Sequence, residues 1–269
     1  MLKDIRRAIS RGSLTESGSA VAETFHLLEE ALRSEVEIEA VIAAESVRTL
    51  VESHIGGLRN NRLTIVPDQI FSEISATESS QGVMALVRMP TWTIDQLFRG
   101  QSLVVIFDGL QDPGNAGAIV RTAEAFGATG IAFIKGTVSP FNPKTLRASA
   151  GSLFRVPYLA GVDADIILAA AKQRRVDLYA AMPRAQKPLA EADLTRRAAF
   201  IIGAEGRGIS RQIEHASLDL AIPTVGVESL NAAVAAGILL YEARRQRSLE
   251  LKPCICLKPF RTTNFPTAP

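Results

Sequence analysis

Between residues 103 and 134 the chain reads LVVIF, then DGLQDPGNAGAIVRTAEAFGATG, then IAFI. An apolar run, a glycine-bearing turn, a stretch of helical spacing and a second apolar run predict a strand, a helix and another strand. The alternation continues downstream. Strands are expected at 103–107, 131–134, 176–180, 199–203 and 219–222, and helices at 116–126, 163–173 and 231–247. Such a series favours an α/β domain with a mainly parallel sheet covered by helices on both faces.

Upstream lies a smaller α/β series. AVAETFHLLEEALR, residues 20–33, carries Val21, Phe25, Leu28 and Leu32 at helical spacing. IEAVIAAES reads as a strand with its turn, and VRTLVESHIGG as a helix ending at Gly56 and Gly57. LTIVP and GVMALVRMP read as further strands, the second stopped by Pro90. Thr91 to Gln101 reads as a linker or short helix. After Leu251, KPCICLKPFRTTNFPTAP has four prolines and no periodicity, the pattern of a flexible tail. The expected organisation is a domain over 1–98, a second over 99–249 and a tail over 250–269.

A length of 269 residues accommodates two such domains, and 47% hydrophobic with 22% charged residues suits globular cores. The most apolar segment, Ala232 to Leu240, is too short to span a bilayer. The opening MLKDIRRAISRGSL has no secretory apolar region, so a cytoplasmic protein is expected. Cys254 and Cys256, spaced C-x-C with no nearby His, cannot complete a four-ligand zinc site, and no metal is expected.

The net charge of +2 is unevenly distributed. Residues 1–98 hold 9 Lys+Arg against 14 Asp+Glu, net −5, and residues 99–249 hold 18 against 13, net +5. An anionic partner therefore prefers the C-terminal part. The exception is a basic cluster at the N-terminus: Lys3, Arg6, Arg7 and Arg11.

Three stretches carry candidate chemistry. In the first, Gly109, Gly114 and Gly117 do not fit the G-x-G-x-x-G spacing of a dinucleotide site. The second strand is followed by KGTV, with no acid to hold a ribose, and no Gly-Lys-Ser/Thr follows for a phosphate loop. A dehydrogenase is thereby disfavoured. What remains is a turn presenting Asn115 and a helix presenting Arg121. The second stretch is AAFIIGAEGRGIS, Ala198 to Ser210, where a strand runs into Gly203, Glu205, Gly206 and Gly208. Glycines let backbone groups approach a ligand, and strand ends are the usual ligand address in open α/β sheets. The third is LAIPTVGVESLNAAVAAGILLYEARRQR, where a strand ends at Ile222-Pro223 and Ser229 or Asn231 opens an apolar helix. Its small residues, Ala232, Ala233, Ala235, Ala236 and Gly237, let another backbone pack closely, in the core or across a dimer interface.

In this order and at these separations, NAGAIVRT (115–122), IGAEGRG (202–208) and IP followed by ESLNAAVA (222–235) resemble the three motifs of the SpoU (TrmH-type) RNA 2′-O-ribose methyltransferases of the SPOUT superfamily. The intervening TVSPFNPKTLRASAGSLFRVP is similar to the family's connecting segment. The departure is Ala204, where many relatives carry Asn. The N-terminal region is more weakly similar to the ribosomal-protein-like domain that many of these enzymes carry.

The resemblance implies a parallel sheet with a deep trefoil knot, a homodimer, and S-adenosyl-L-methionine bound by the loops after Ile202 and Ile222. It implies cofactor contacts at Gly203, Gly206, Ile222, Leu230 and Asn231. It implies catalytic roles for Arg121, Asn115, Glu205, Ser229 and Asn231. The substrate it implies is structured RNA, ribosomal RNA before transfer RNA, with DNA excluded for want of a 2′-hydroxyl. A catalytically silent RNA-binding assembly factor on the same fold is the rival, opposed by the intact motif residues.

Overall fold

The computed structural model describes residues 1–55, 62–77, 79–182 and 185–248. Gly56, Gly57 and the proline-rich tail with its two cysteines lie outside the described residues. The elements run α1 (Leu2–Arg11), β1 (Ser19–Glu23), α2 (Phe25–Arg33), β2 (Ile38–Ala44), α3 (Arg48–His54), β3 (Leu63–Val66), α4 (Asp68–Ile74) and β4 (Val83–Arg88). After the short α5 (Ile94–Leu97) come β5 (Leu103–Asp108), α6 (Pro113–Ala125), β6 (Gly130–Ile134), α7 (Pro143–Ser149), β7 (Tyr158–Val162), α8 (Ala164–Gln173), β8 (Asp177–Ala181), β9 (Ala198–Gly203), α9 (Arg211–Glu214), β10 (Leu218–Leu220) and α10 (Ala232–Arg247).

The first four strands form a mixed sheet in the order β1-β4-β2-β3, in which β2 and β3 run parallel and β4 opposes both β1 and β2. Ile5 and Ala8 of α1 and Phe71 and Ile74 of α4 cover one face through Val21, Ile42, Met84 and Leu86. The second sheet is parallel throughout, in the order β10-β8-β9-β5-β6-β7. Its strands are apolar at successive positions because both faces are covered. Val105, Phe107, Phe133, Phe200 and Ile202 face α6, α7 and α10. Val104, Ile106, Ala132, Ala199 and Ile201 face α5, α8 and α9.

Two differences from the sequence expectation have physical causes. Ser19 to Glu23 is a strand, and the helix begins only at Phe25. Val21 keeps step with the helical apolar positions by coincidence, and Thr24 breaks the run, its hydroxyl capping α2 by accepting Leu27 N–H at 3.2 Å. Helix α6 begins at Pro113 rather than Ala116. Asp112 is its N-cap and Pro113 its first residue, a pairing helix starts favour. Asn115 therefore sits inside the first turn of the helix.

Chain direction makes the sheet's geometry functional. From β5 the chain moves outward through β6 and β7, then returns to build β8, β9 and β10 on the other side. The strand order reverses between β5 and β9, and the carboxyl ends flanking such a reversal form a crevice suited to ligands.

Candidate active site

Asp108 ends β5 opposite Gly203, which ends β9. Beyond Gly203 the chain makes a tight hairpin: Ala204 N–H donates to Gly208 O and Gly208 N–H to Ala204 O, both at 2.9 Å. Glu205 and Gly206 occupy its tip. A Cβ at Gly203 would lie 2.6 Å from Gly208 O, so only glycine lets the strand enter this hairpin. Gly206 and Gly208 adopt φ of +88° and +69°, the region that favours glycine. The buried Asp108 carboxylate accepts Ser210 N–H at 2.5 Å and fixes the far side of the loop.

Asn115 approaches this hairpin from α6. Its Nδ2 donates to Glu205 Oε1 at 2.6 Å, and its Oδ1 accepts from Asn231 Nδ2 at 3.0 Å. Asn231 in turn is the N-cap of α10, its Oδ1 accepting the N–H groups of Ala233 and Val234 at 2.9 and 3.3 Å. A continuous amide–carboxylate chain thus ties the three loops together. The position of α6 depends on Gly117. A Cβ there would overlap the Thr145 carbonyl and lie 2.5 Å from Ala148 Cβ, so α6 and α7 touch backbone to backbone.

Beside this chain a cavity of about 420 Å³ opens at the ends of β8, β9 and β10. Gly203, Glu205, Gly206, Ile222, Ser229 and Leu230 line it. Ile202, Ile209 and Leu220 give it apolar walls, while Thr224, Glu228 and Ser229 add polar groups. Its size and mixed lining are those of a small-molecule site. An apolar slot edged by glycine backbone amides suits a nucleoside, and the carboxylate of Glu228 suits a cationic group. S-adenosylmethionine combines both, so the residues present fit it. Among the described residues no cluster of His, Cys, Asp or Glu could hold a metal ion.

Glu205, Asn115 and Asn231 are hydrogen-bonded to one another, and Gly203, Gly206, Ile222, Ser229 and Leu230 share the cavity. Ser229 does not cap α10; that task falls to Asn231. Arg121 stands apart. It is exposed on α6, six residues after Asn115. At about 1.5 Å and 100° per residue, it leaves the helix roughly 9 Å further along and about 120° away from Asn115. Two positioning residues escaped the sequence reading. Asp108 and Asp112 both lie in the glycine-bearing turn, and Asp before Pro at a helix start is the capping signal that marks Asp112. The Asp112 carboxylate accepts Asn115 N–H at 2.6 Å.

The SpoU rRNA Methylase family matches residues 102–241, which contain every element of this site. The chain belongs to the SpoU rRNA methylase family. The MRM3-like substrate binding domain matches residues 2–85, the region of the first sheet. Relatives span both regions. An uncharacterized tRNA/rRNA methyltransferase of Synechocystis is 32% identical, with 92% of this chain and 91% of the relative covered. The 23S rRNA (guanosine(2553)-2′-O)-methyltransferase RlmP of Bacillus subtilis is 30% identical over 90% of this chain and 95% of its own. Among solved structures, the SpoU methyltransferase AviRb of Streptomyces viridochromogenes in complex with AdoMet superposes with a TM-score of 0.81. It is 26% identical, with 91% of this chain and 97% of that chain covered. The fold is therefore the α/β fold of SpoU methyltransferases, preceded by a smaller α/β unit.

Proposed function

We propose that this S-adenosylmethionine-dependent RNA methyltransferase of the SpoU family modifies a ribose 2′-hydroxyl in ribosomal RNA. The observation that carries the reading is the Glu205–Asn115–Asn231 chain beside the nucleoside-sized cavity at the sheet's switch point. Ribosomal RNA is preferred over transfer RNA because the relative named for 23S rRNA aligns through both regions of the chain. The protein works where that RNA is, in the cytoplasm. Among the described residues no helix is long and apolar enough to cross a membrane.

Gly203, Gly206, Ile222, Leu230 and Asn231 hold the cofactor through backbone amides, carbonyls and apolar walls. Bound there, S-adenosylmethionine supplies a sulfonium methyl already activated for displacement. The protein's remaining tasks are to hold the 2′-oxygen in line and to ease its loss of a proton. Asn115, fixed on both sides, orients the ribose. Glu205 holds the amide of Asn115 and keeps the hairpin in place, and Ser229 and Asn231 complete the wall between cofactor and RNA. Arg121, about 9 Å along α6 from Asn115, binds an RNA phosphate next to the target ribose and through its charge lowers the cost of the developing alkoxide. A guanidinium remains protonated in proteins, so the proton passes to the phosphate or to water.

Two further features belong to this proposal. The C-terminal segment is threaded as a deep trefoil knot. In support, α10 packs on α6 and its last turn returns to the segments that lead into β9 and β5, where Arg247 donates to the carbonyls of Leu194 and Gln101 at 2.7 and 3.2 Å. The protein is also a homodimer, assembled on the exposed stripe of α10 formed by Val234, Ile238 and Tyr241. The divisions at 98/99 and 249/250 are functional boundaries, with RNA selection on the first side and chemistry on the second. Isothermal titration with S-adenosylmethionine tests the reading. Saturable one-site binding, abolished by Gly203→Val, is expected; the absence of binding to the wild-type protein overturns it.

A further inference from the structure

Helix α1 gathers positive charge within a region that is otherwise acidic. Residues 1–98 carry net −5, although α1 itself holds four cations and a single carboxylate. Ile5 and Ala8 face the first sheet and are 0% and 2% exposed. At about 100° per residue, Lys3, Arg6 and Arg7 project from the opposite side and Arg11 from its flank, and all four are exposed. The two nearest carboxylates are already engaged. Glu16 pairs with Arg7 at 2.5 Å, and Asp4 accepts the backbone N–H of Glu16 at 3.1 and 3.2 Å. Among the described residues, no carboxylate reaches ion-pair distance of Lys3, Arg6 or Arg11.

The helix also points toward the active site. It ends at Gly12, where a Cβ would lie 3.1 Å from Asn142 Nδ2. Asn142 caps α7, accepting Lys144 N–H at 2.9 Å. The exposed Lys144 ammonium lies 3.7 Å from Asp112, the same carboxylate that holds Asn115 N–H. One file of contacts therefore runs from the end of α1 to the first turn of α6.

We infer that the exposed face of α1, through Lys3, Arg6 and Arg11 and continuing over Lys144, is a track for the phosphates of RNA flanking the methylated nucleotide. This rests on the reading of the chain as an RNA ribose methyltransferase. Charge complementarity selects a polyanion, and the acidic remainder of the region confines that polyanion to this face. A lipid surface is disfavoured because Ile5 and Ala8 are buried against the sheet and Leu2 and Ile9 pack partly against it, leaving little beyond Met1 to insert. Phosphate contacts of this kind fix register without reading sequence, which suits a domain that presents RNA to a separate catalytic centre.

The test compares the full chain with its Lys3→Gln/Arg6→Gln/Arg11→Gln variant on unmethylated 23S rRNA transcript across a salt series. Losing three contacts at about 0.7 each makes the slope of log affinity against log salt shallower by about 2. The KM for RNA rises about tenfold or more with kcat unchanged, as expected when ground-state and transition-state binding weaken equally. S-adenosylmethionine binding stays at the wild-type value, which also shows that the variant is folded. Arg6→Lys/Arg11→Lys retains the wild-type slope. A triple variant with the wild-type slope and KM overturns the inference, as does one that loses kcat alone. Loss of binding to phosphatidylserine vesicles with RNA binding intact also overturns it, assigning the face to membranes. Failure of the wild-type protein to bind or methylate the transcript refutes instead the function on which the inference rests.

Discussion

Asn115 spends both ends of its amide on other loops, one on Glu205 and one on Asn231. Its removal by Asn115→Ala releases both neighbours at once while leaving the cavity walls in place. The expected outcome is a fall in kcat on the order of 100-fold, the scale of lost positioning. S-adenosylmethionine affinity, read by calorimetry, changes only a few-fold. Arg121 poses a different question, that of base against electrostatic anchor. A pH–rate profile of Arg121→Lys separates these roles. Activity lost evenly across pH supports bidentate phosphate binding, which an ammonium cannot reproduce. Retained activity with a new ionisation near lysine's range supports a true base. The sequence made these residues visible as polar side chains at strand ends and helix starts, and the family resemblance marked them as a set. Their pairing was not legible, because Asn115 lies 90 residues from Glu205 and 116 from Asn231. Only the sheet order brings them together. The distance of Arg121 from that chain was equally hidden, since it follows from where α6 starts.

Two elements carry the site on close contacts. Helix α10 is capped by the oxygen of the Asn231 amide, whose nitrogen donates to Asn115. Asn231→Ala costs about 1 kcal/mol of stability through the lost cap, read as a lowered Tm, and loosens Asn115 as well. At the α6–α7 crossing, Gly117→Ala forces a methyl against Thr145 and Ala148. A loss of about 1–3 kcal/mol is expected from overpacking, with activity falling in parallel as Asn115 shifts. Long apolar strands such as β5 and β9, and the helix α10, were legible because periodicity and length agree there. Helix α1, helix α4, helix α7 and strand β7 went unread. Helix α1 was legible in principle, since Leu2, Ile5, Ala8 and Ile9 share one helical face. In β7 only Tyr158 is fully buried, because it is an edge strand.

Across the whole molecule, the two sheets meet through ion pairs as well as apolar packing. Arg155 donates to Glu30 at 2.8 Å and to Ser34 at 2.9 Å on the N-terminal side. It also grips both oxygens of Glu124 on α6 at 2.6 and 3.0 Å. Arg147 reaches the fully buried Glu23 at 3.4 Å. Arg155→Ala leaves the Glu30 carboxylate, whose side chain is 7% exposed, with Arg33 as its remaining partner. A loss on the order of 2 kcal/mol is expected in chemical denaturation, below that of a fully buried pair because Arg155 is partly solvated. Burial by itself raises the Glu124 carboxyl, but the Arg155 guanidinium and Ser152 outweigh it and hold the group below its ordinary value. A carboxyl depressed in the folded state stabilises above its unfolded pKa and loses that contribution as pH falls through the folded one. Stability should therefore decline below about pH 4, and less steeply in Glu124→Gln.

The reaction at issue is transfer of a methyl group to a ribose oxygen of ribosomal RNA. Its most direct test incubates the full chain with isotope-labelled S-adenosylmethionine and unmethylated 23S rRNA, then digests the RNA and identifies the labelled nucleoside by mass spectrometry. The expected product is a 2′-O-methylnucleoside at a defined position, with no label on DNA of the same sequence and about 100-fold less with Asn115→Ala at matched time. Label on a base, or none on any RNA despite cofactor binding, would contradict it.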